Sequence, residues 1–317
     1  MTITYKEFFG TKYPIMAAPM NQVSEVGLAI AVSKAGGIPS LTAFNYFWAG
    51  SPGIHPPLLE TLLADIIFFR EQTNNGCLLL SIGPGDLFNR ETVNKILSTG
   101  LRHFEIVSDF TTDTAESWAK TFEVIDYLKS QDCKVLIKTA GTGIYYPGKD
   151  GKVNELLDCG SADGFIIKGP AGAGRVAKFS TPLTDIIRIM RSKHPEKLIV
   201  ASGGVGLSSH VKFLMNHKVL AVSIGTLFAA STESIVSEAT KLKMVAADES
   251  SIQRLKGTNQ NGLIFTRYEQ DDSNYTFSLK NGMKDPTSGH IFAGKSIVNV
   301  TAIRSVHDII QDLVKEL

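Results

Sequence analysis

The chain has 317 residues, 43% of them hydrophobic, with 32 basic and 31 acidic side chains and a formal net charge of +1. Length and apolar content suit one large core, while the even charge balance argues against nucleic acid or an anionic membrane surface as partner. Three scattered cysteines, Cys77, Cys133 and Cys159, exclude a disulfide framework or a cysteine metal cluster and read as small buried hydrophobes.

The opening stretch, MTITYKEFFG, shows no basic segment followed by an apolar one, so no signal peptide is expected. No apolar run reaches the roughly 18 residues of a membrane span. Together these features suggest a cytoplasmic protein. Short β-rich apolar runs then recur at Ile15–Pro19, Ile38–Ala43, Cys77–Gly83, His103–Asp109, Lys134–Gly141, Gly164–Pro170, Leu198–Gly204 and Ala221–Leu227. Their apolar positions are mostly continuous, as in parallel strands buried on both faces.

Helical spacing predicts helices over Ser24–Ala35, Leu58–Glu71, Asp113–Ser130, Pro182–Lys193 and Ser208–His217, with a closing helix over Val306–Glu316. The first of these carries Ser24 as the expected N-cap and Gly36-Gly37 as a stop. Eight strand–helix units predict an α/β fold, a (β/α)8 TIM barrel, because each parallel strand needs a crossover. A doubly wound open sheet is the alternative, but the Gly-rich turn it would carry after the first strand is replaced by Ala17-Ala18-Pro19-Met20. The barrel is expected to take residues 1–244 and 301–317. Residues 245–300, after strand 8, are expected to form a lid or side layer. The aromatic stretch Thr42–Pro57 follows strand 2 and would cover the C-terminal face, where such barrels keep their sites.

Strands 7 and 8 end in small residues, Ala201-Ser202-Gly203-Gly204 and Ser223-Ile224-Gly225-Thr226. Bare amides beside helix N-termini make an anion site, the usual phosphate position in such barrels. The loop after strand 6, Lys168-Gly169-Pro170-Ala171-Gly172-Ala173-Gly174-Arg175, adds glycines and two cations. Lys138 stands inside an apolar strand and needs a partner or an aqueous cavity. The strand ends show no His/Asp/Glu set with ligand spacing, so no metal is expected.

Taken together, Pro14–Met20, Ala31–Gly37, Ser161–Arg175, Ile199–Val205, Val222–Phe228 and Phe292–Lys295 (FAGK) resemble the nitronate monooxygenase family, formerly called 2-nitropropane dioxygenases. That family also includes FMN-dependent enoyl-ACP reductases of the same barrel type. The resemblance implies FMN as cofactor. Ala18, Pro19 and Met20 would pass beside the isoalloxazine, Gly203, Gly204, Gly225 and Thr226 would hold the phosphate, and Ser223 would also contact the cofactor. Lys168 falls where many members have a flavin-contacting Gln, Ser81 where they have an Asn, and Ala173 where they have a Gly. Lys138 could balance charge on the N1/O2 edge of a reduced flavin.

Arg175 is the main departure, since members commonly have His there. A guanidinium stays protonated and cannot be a general base. It can clamp an oxygen pair of an anionic substrate. The family's Glu before Gly-Gly is replaced by Ala171. His290, in Ser288-Gly289-His290, and His55 remain as candidate bases, and Tyr145 and Tyr146 as hydrogen-bond donors.

The expectation is an FMN-dependent oxidoreductase acting on a nitronate-like or other small anionic substrate with O2. Arg175, Lys168 and His290 are its expected catalytic set. The alternatives are an NAD(P)H-dependent enoyl reductase and a non-catalytic FMN-binding barrel. A homo-oligomer is possible on this reading.

Overall fold

A computed structural model describes residues 3–47, 58–83, 89–107, 115–140, 144–147, 153–156, 159–176, 181–254, 260–264, 282–285, 287 and 289–317. Eight barrel strands occur in chain order at Ile15–Ala17, Ser40–Thr42, Leu79–Ile82, His103–Val107, Lys134–Ala140, Gly164–Lys168, Leu198–Ser202 and Ala221–Ile224. All their ladders are parallel, running from strand 1 through strands 8, 7, 6, 5, 4 and 3 to strand 2. The ring closes through a parallel bridge between Met16 and Ile38, where Ile38 N–H donates to Ile15 O at 2.7 Å. The expected (β/α)8 barrel is the fold.

Side-chain alternation divides the barrel into an outer and an inner surface. Ile15, Leu41, Leu80, Phe104, Ile137, Phe165, Ile199 and Val222 pack outward with the helices. Met16, Ile38, Leu79, Leu136, Ile166, Val200 and Ala221 point inward and form a separate apolar cluster with Phe8 and Phe9. Those two phenylalanines belong to a short N-terminal helix, Tyr5–Phe9, capped by Thr4 and Glu7 and ended by Gly10 at φ 69°. The helix closes the N-terminal end of the barrel. Five residues give too little periodicity for it to have been predicted.

The crossovers depart from a uniform strand–helix alternation. Between strands 5 and 6 the described residues hold an antiparallel hairpin, Ile144–Pro147 against Val153–Leu156, and no helix. A further helix, Arg90–Ser98, links strands 3 and 4, with Asn89 Oδ1 accepting from Thr92 N at 2.9 Å. The first long helix runs Val26–Lys34 with Glu25, not Ser24, at the N-cap. Ser24 is diverted because its Oγ accepts from Met20 N (2.8 Å) and donates to Ala18 O (3.2 Å).

Segment 245–300 contributes Ile252–Arg254, Gln260–Ile264 and His290–Ile291 to an antiparallel sheet joined by Gly174–Arg175 from the strand-6 loop. Its residues 255–259 and 265–281 lie outside the described ones. After Thr42 the chain forms a short helix, Phe44–Phe47, and 48–57, with His55, likewise lie outside. The closing helix is Val306–Val314. No helix among the described residues is long and apolar enough to cross a membrane.

Candidate functional site

The barrel interior changes character within two residues. One full alternation beyond Ile38, Leu79, Leu136, Ile166, Val200 and Ala221 stand Ser40, Ser81, Lys138, Lys168, Ser202 and Ser223. Each is polar, and each shares the inward parity of its apolar neighbour. Strand 4 contributes Glu105 to the same tier, two residues beyond His103. The lower half of the well is therefore apolar and sealed by Phe8 and Phe9, while the half toward the C-terminal mouth is lined with polar groups.

Glu105 is the centre of this tier and was not anticipated. Its side chain is 0% exposed, and its Oε1 accepts from Lys138 Nζ and from Ser81 Oγ, both at 2.9 Å. Its Oε2 has no partner, and neither does the buried Ser223 Oγ on strand 8. An unsatisfied buried oxygen is costly, so two at one level mark a place where polar contacts remain to be made. Lys138 thus has the partner its strand position demanded. That partner also cancels the charge it would otherwise present.

Three strand ends meet at one corner of the mouth. Gly203 (φ 106°) lies so close to the strand-6 loop that a Cβ would stand 3.1 Å from Gly169 O and Gly172 N. Gly204 (φ 78°) faces Ala171, whose Cβ would be 2.7 Å from an added one. Gly169 N donates to Ser202 O at 2.9 Å, and Lys295 N donates to Ala171 O at 2.9 Å. Gly294 N donates to Thr226 Oγ1 at 3.1 Å, so the Phe292–Lys295 segment is tied to the end of strand 8. Thr226 keeps its hydroxyl proton for another acceptor. Gly225 faces Met20 Sδ and Ala18, at 3.3 and 3.6 Å from an added Cβ, which places the end of strand 1 beside strand 8.

The other expected residues are placed as follows. Lys168 folds under its own loop and donates to Ala173 O at 2.9 Å. The main chain of Arg175 is in register with Gln260, while its side chain lies outside the described ones. His290 is 2% exposed and sits edge-on to Phe292 at 5.6 Å between centroids. Burial pushes its pKa down to about 4, which keeps it neutral at pH 7 but a weak proton acceptor. Pro19 continues the strand-1 end between Ala18 and Met20. The side chains of Tyr145 and Tyr146 lie outside the described residues. Cys133 and Cys159 are buried and Cys77 is half-buried, all three as free thiols.

No protein-family model matches the chain. Among solved structures, FabK from Thermotoga maritima superposes with a TM-score of 0.75 at 20% identity, covering 100% of this chain and 96% of that one. A nitroalkane oxidase from Streptomyces ansochromogenes gives 0.68 at 16% identity, covering 98% and 97%. The enoyl reductase domain of MlnA from Bacillus amyloliquefaciens gives 0.67 at 14%, covering 98% and 95%. At these identities the likeness establishes the barrel over its full length.

Proposed function

We propose that the chain is an FMN-dependent oxidoreductase whose site is the C-terminal mouth above the polar tier. The observation that carries this reading is the switch inside the barrel, from an apolar floor to a polar tier with two unsatisfied oxygens below converging glycines. A nitroalkane oxidase and an enoyl reductase domain share the fold, which supports the same class of chemistry.

The residues present fit FMN. Gly203, Gly204, Gly225 and the Thr226 hydroxyl would hold the phosphate at the corner where strands 6, 7 and 8 end. The backbone of Ala18, Pro19 and Met20, pinned by Ser24, would flank the flavin ring, and Ser223, Ser81 and Lys138 would face it from below. Bound FMN would supply reversible two-electron transfer. Lys168 would hold the strand-6 loop in place through Ala173 O. Arg175 would clamp the oxygens of an anionic substrate, a role that requires no proton transfer from it. His290, neutral and buried, would orient the segment carrying Phe292 and take no proton.

The absorbance spectrum of the purified protein tests the central claim. A yellow protein, or one that takes up added FMN, is expected. A colourless protein that binds none overturns it. Anaerobic mixing then separates the substrate readings. Bleaching by a nitronate supports a nitronate-oxidising enzyme, and rapid bleaching by NADH or NADPH supports the enoyl reductase alternative. For an anionic substrate, Arg175→Ala should raise KM about 10- to 100-fold, the worth of a charge-assisted bond.

A further inference from the structure

At the opposite end of the barrel, the Tyr5–Phe9 helix, the turns entering strands 3 and 4 and the start of strand 5 enclose a cavity of about 390 Å³. That volume lies within the range of small-molecule pockets, roughly 300–1,000 Å³. The buried Phe9, Ile66, Leu78 and Leu101 back it, and Arg70, Arg102 and Lys134 line it.

The three cations are held by neutral oxygens. Arg70 Nε and Nη2 donate to Asn75 Oδ1 at 3.1 and 2.9 Å. Arg102 Nη1 donates to Leu97 O and Leu101 O at 2.9 and 2.8 Å. Lys134 Nζ donates to Glu7 O at 3.0 Å and to Phe8 O. Among the described residues none of the three forms an ion pair. Glu7, the one carboxylate on the lining, has its Oε2 occupied by Thr4 N and Oγ1 at 2.7 and 2.8 Å. Glu71 lines only an adjoining cavity of about 250 Å³.

Three positive charges against the single carboxylate of Glu7, which is turned to Thr4, leave a net positive field around the cavity that an anion would relieve. The guanidinium of Arg70 is also held in place. It lies flat on Gly100 (φ 84°), where any Cβ would collide with it, and Asn75 fixes it from the other side. A donor fixed before binding spends less entropy on the ligand. Arg70 Nη1 and the Nε and Nη2 of Arg102 remain for oxyanion contacts.

We propose that this cavity binds a small organic oxyanion, a phosphate ester or carboxylate. Arg70 and Arg102 grip the charged end, and the rest of the cavity, far larger than a bare phosphate, takes the organic part. The site is separate from the mouth and does not depend on the FMN reading.

Calorimetric titration with phenyl phosphate, inorganic phosphate and benzoate, in the presence of saturating FMN, tests it. Phenyl phosphate or benzoate should bind saturably and more tightly than inorganic phosphate, and whichever is tighter identifies the oxyanion class. Arg70→Gln should weaken that binding about tenfold or more. Asn75→Ala keeps the charge and removes only its brace, so it should bind within roughly threefold of wild type. The proposal is overturned if no probe binds saturably, if inorganic phosphate binds as well as phenyl phosphate, if Arg70→Gln binds like wild type, or if Asn75→Ala loses as much as Arg70→Gln.

Discussion

Lys138 and Glu105 form an ion pair of 2.9 Å inside the barrel, and their exposures are unequal, 13% and 0%. Removing one partner of a buried pair leaves the other charge uncompensated and costs about 3–5 kcal/mol. Lys138→Met strands the fully buried carboxylate, while Glu105→Gln leaves an ammonium that can still reach the mouth. Chemical denaturation should therefore show Lys138→Met as the more destabilised variant, with the Glu105→Gln/Lys138→Met double variant recovering part of the loss. Equal losses in both single variants would refute this ordering.

Acid should weaken the fold through His290. Its folded-state pKa of about 4 lies below the ordinary value near 6.5. Between those values the unfolded chain binds a proton that the folded one refuses, so stability falls as pH drops through that window and levels off below it. The total is on the order of 3 kcal/mol for a shift of this size. His103 is shifted down too, chiefly by burial, and adds in the same direction. In urea titrations at several pH values, His290→Gln should flatten the slope between about pH 6.5 and 4. An unchanged slope would show that other groups dominate the acid limb.

Gly204→Ala should be poorly tolerated. The new Cβ would sit 2.7 Å from that of Ala171 at a φ of 78°. Strain of this kind costs about 1–3 kcal/mol, and relief requires the strand-6 loop to move away from the corner. A lower melting temperature together with weaker FMN uptake is expected. Loss of stability with unaltered FMN affinity would separate this glycine from the phosphate site.

Glu233 holds the start of the closing helix, accepting from Val306 N at 3.0 and 3.2 Å. A carboxylate there satisfies an otherwise free amide and favours the positive end of the helix dipole. Glu233→Ala should cost about 1 kcal/mol by thermal denaturation, with cofactor uptake unaffected. Loss of uptake would mean that the closing helix and the mouth are coupled.

The barrel was legible because its strands are buried on both faces and read as uninterrupted apolar runs. Ser81, Lys138, Lys168 and Ser223 could be picked out at the ends of those runs. Glu105 could not, because in His103-Phe104-Glu105-Ile106-Val107 it reads as a single charge interrupting a strand. The signal lies across strands, since advancing two residues from six of the seven inward apolar positions lands on a polar one, Met16 with Ala18 being the exception, and that comparison requires knowing which parity faces inward. Ser24 had the right chemistry for a helix cap, but two backbone groups of the strand-1 turn claimed its hydroxyl first. The hairpin after strand 5 was hidden because the distance between strands alone fits a helix equally well.

The aromatic floor has a kinetic consequence. Phe8 and Phe9 meet edge-on at 4.8 Å, and Phe9 stacks on His103 at 5.8 Å, so the well beneath the polar tier is blind. Anything that reacts at the mouth above that tier must enter and leave by the same door. With a cofactor seated across that door, two successive reactants have to take turns. Steady-state rates measured against both should then give parallel rather than intersecting reciprocal plots.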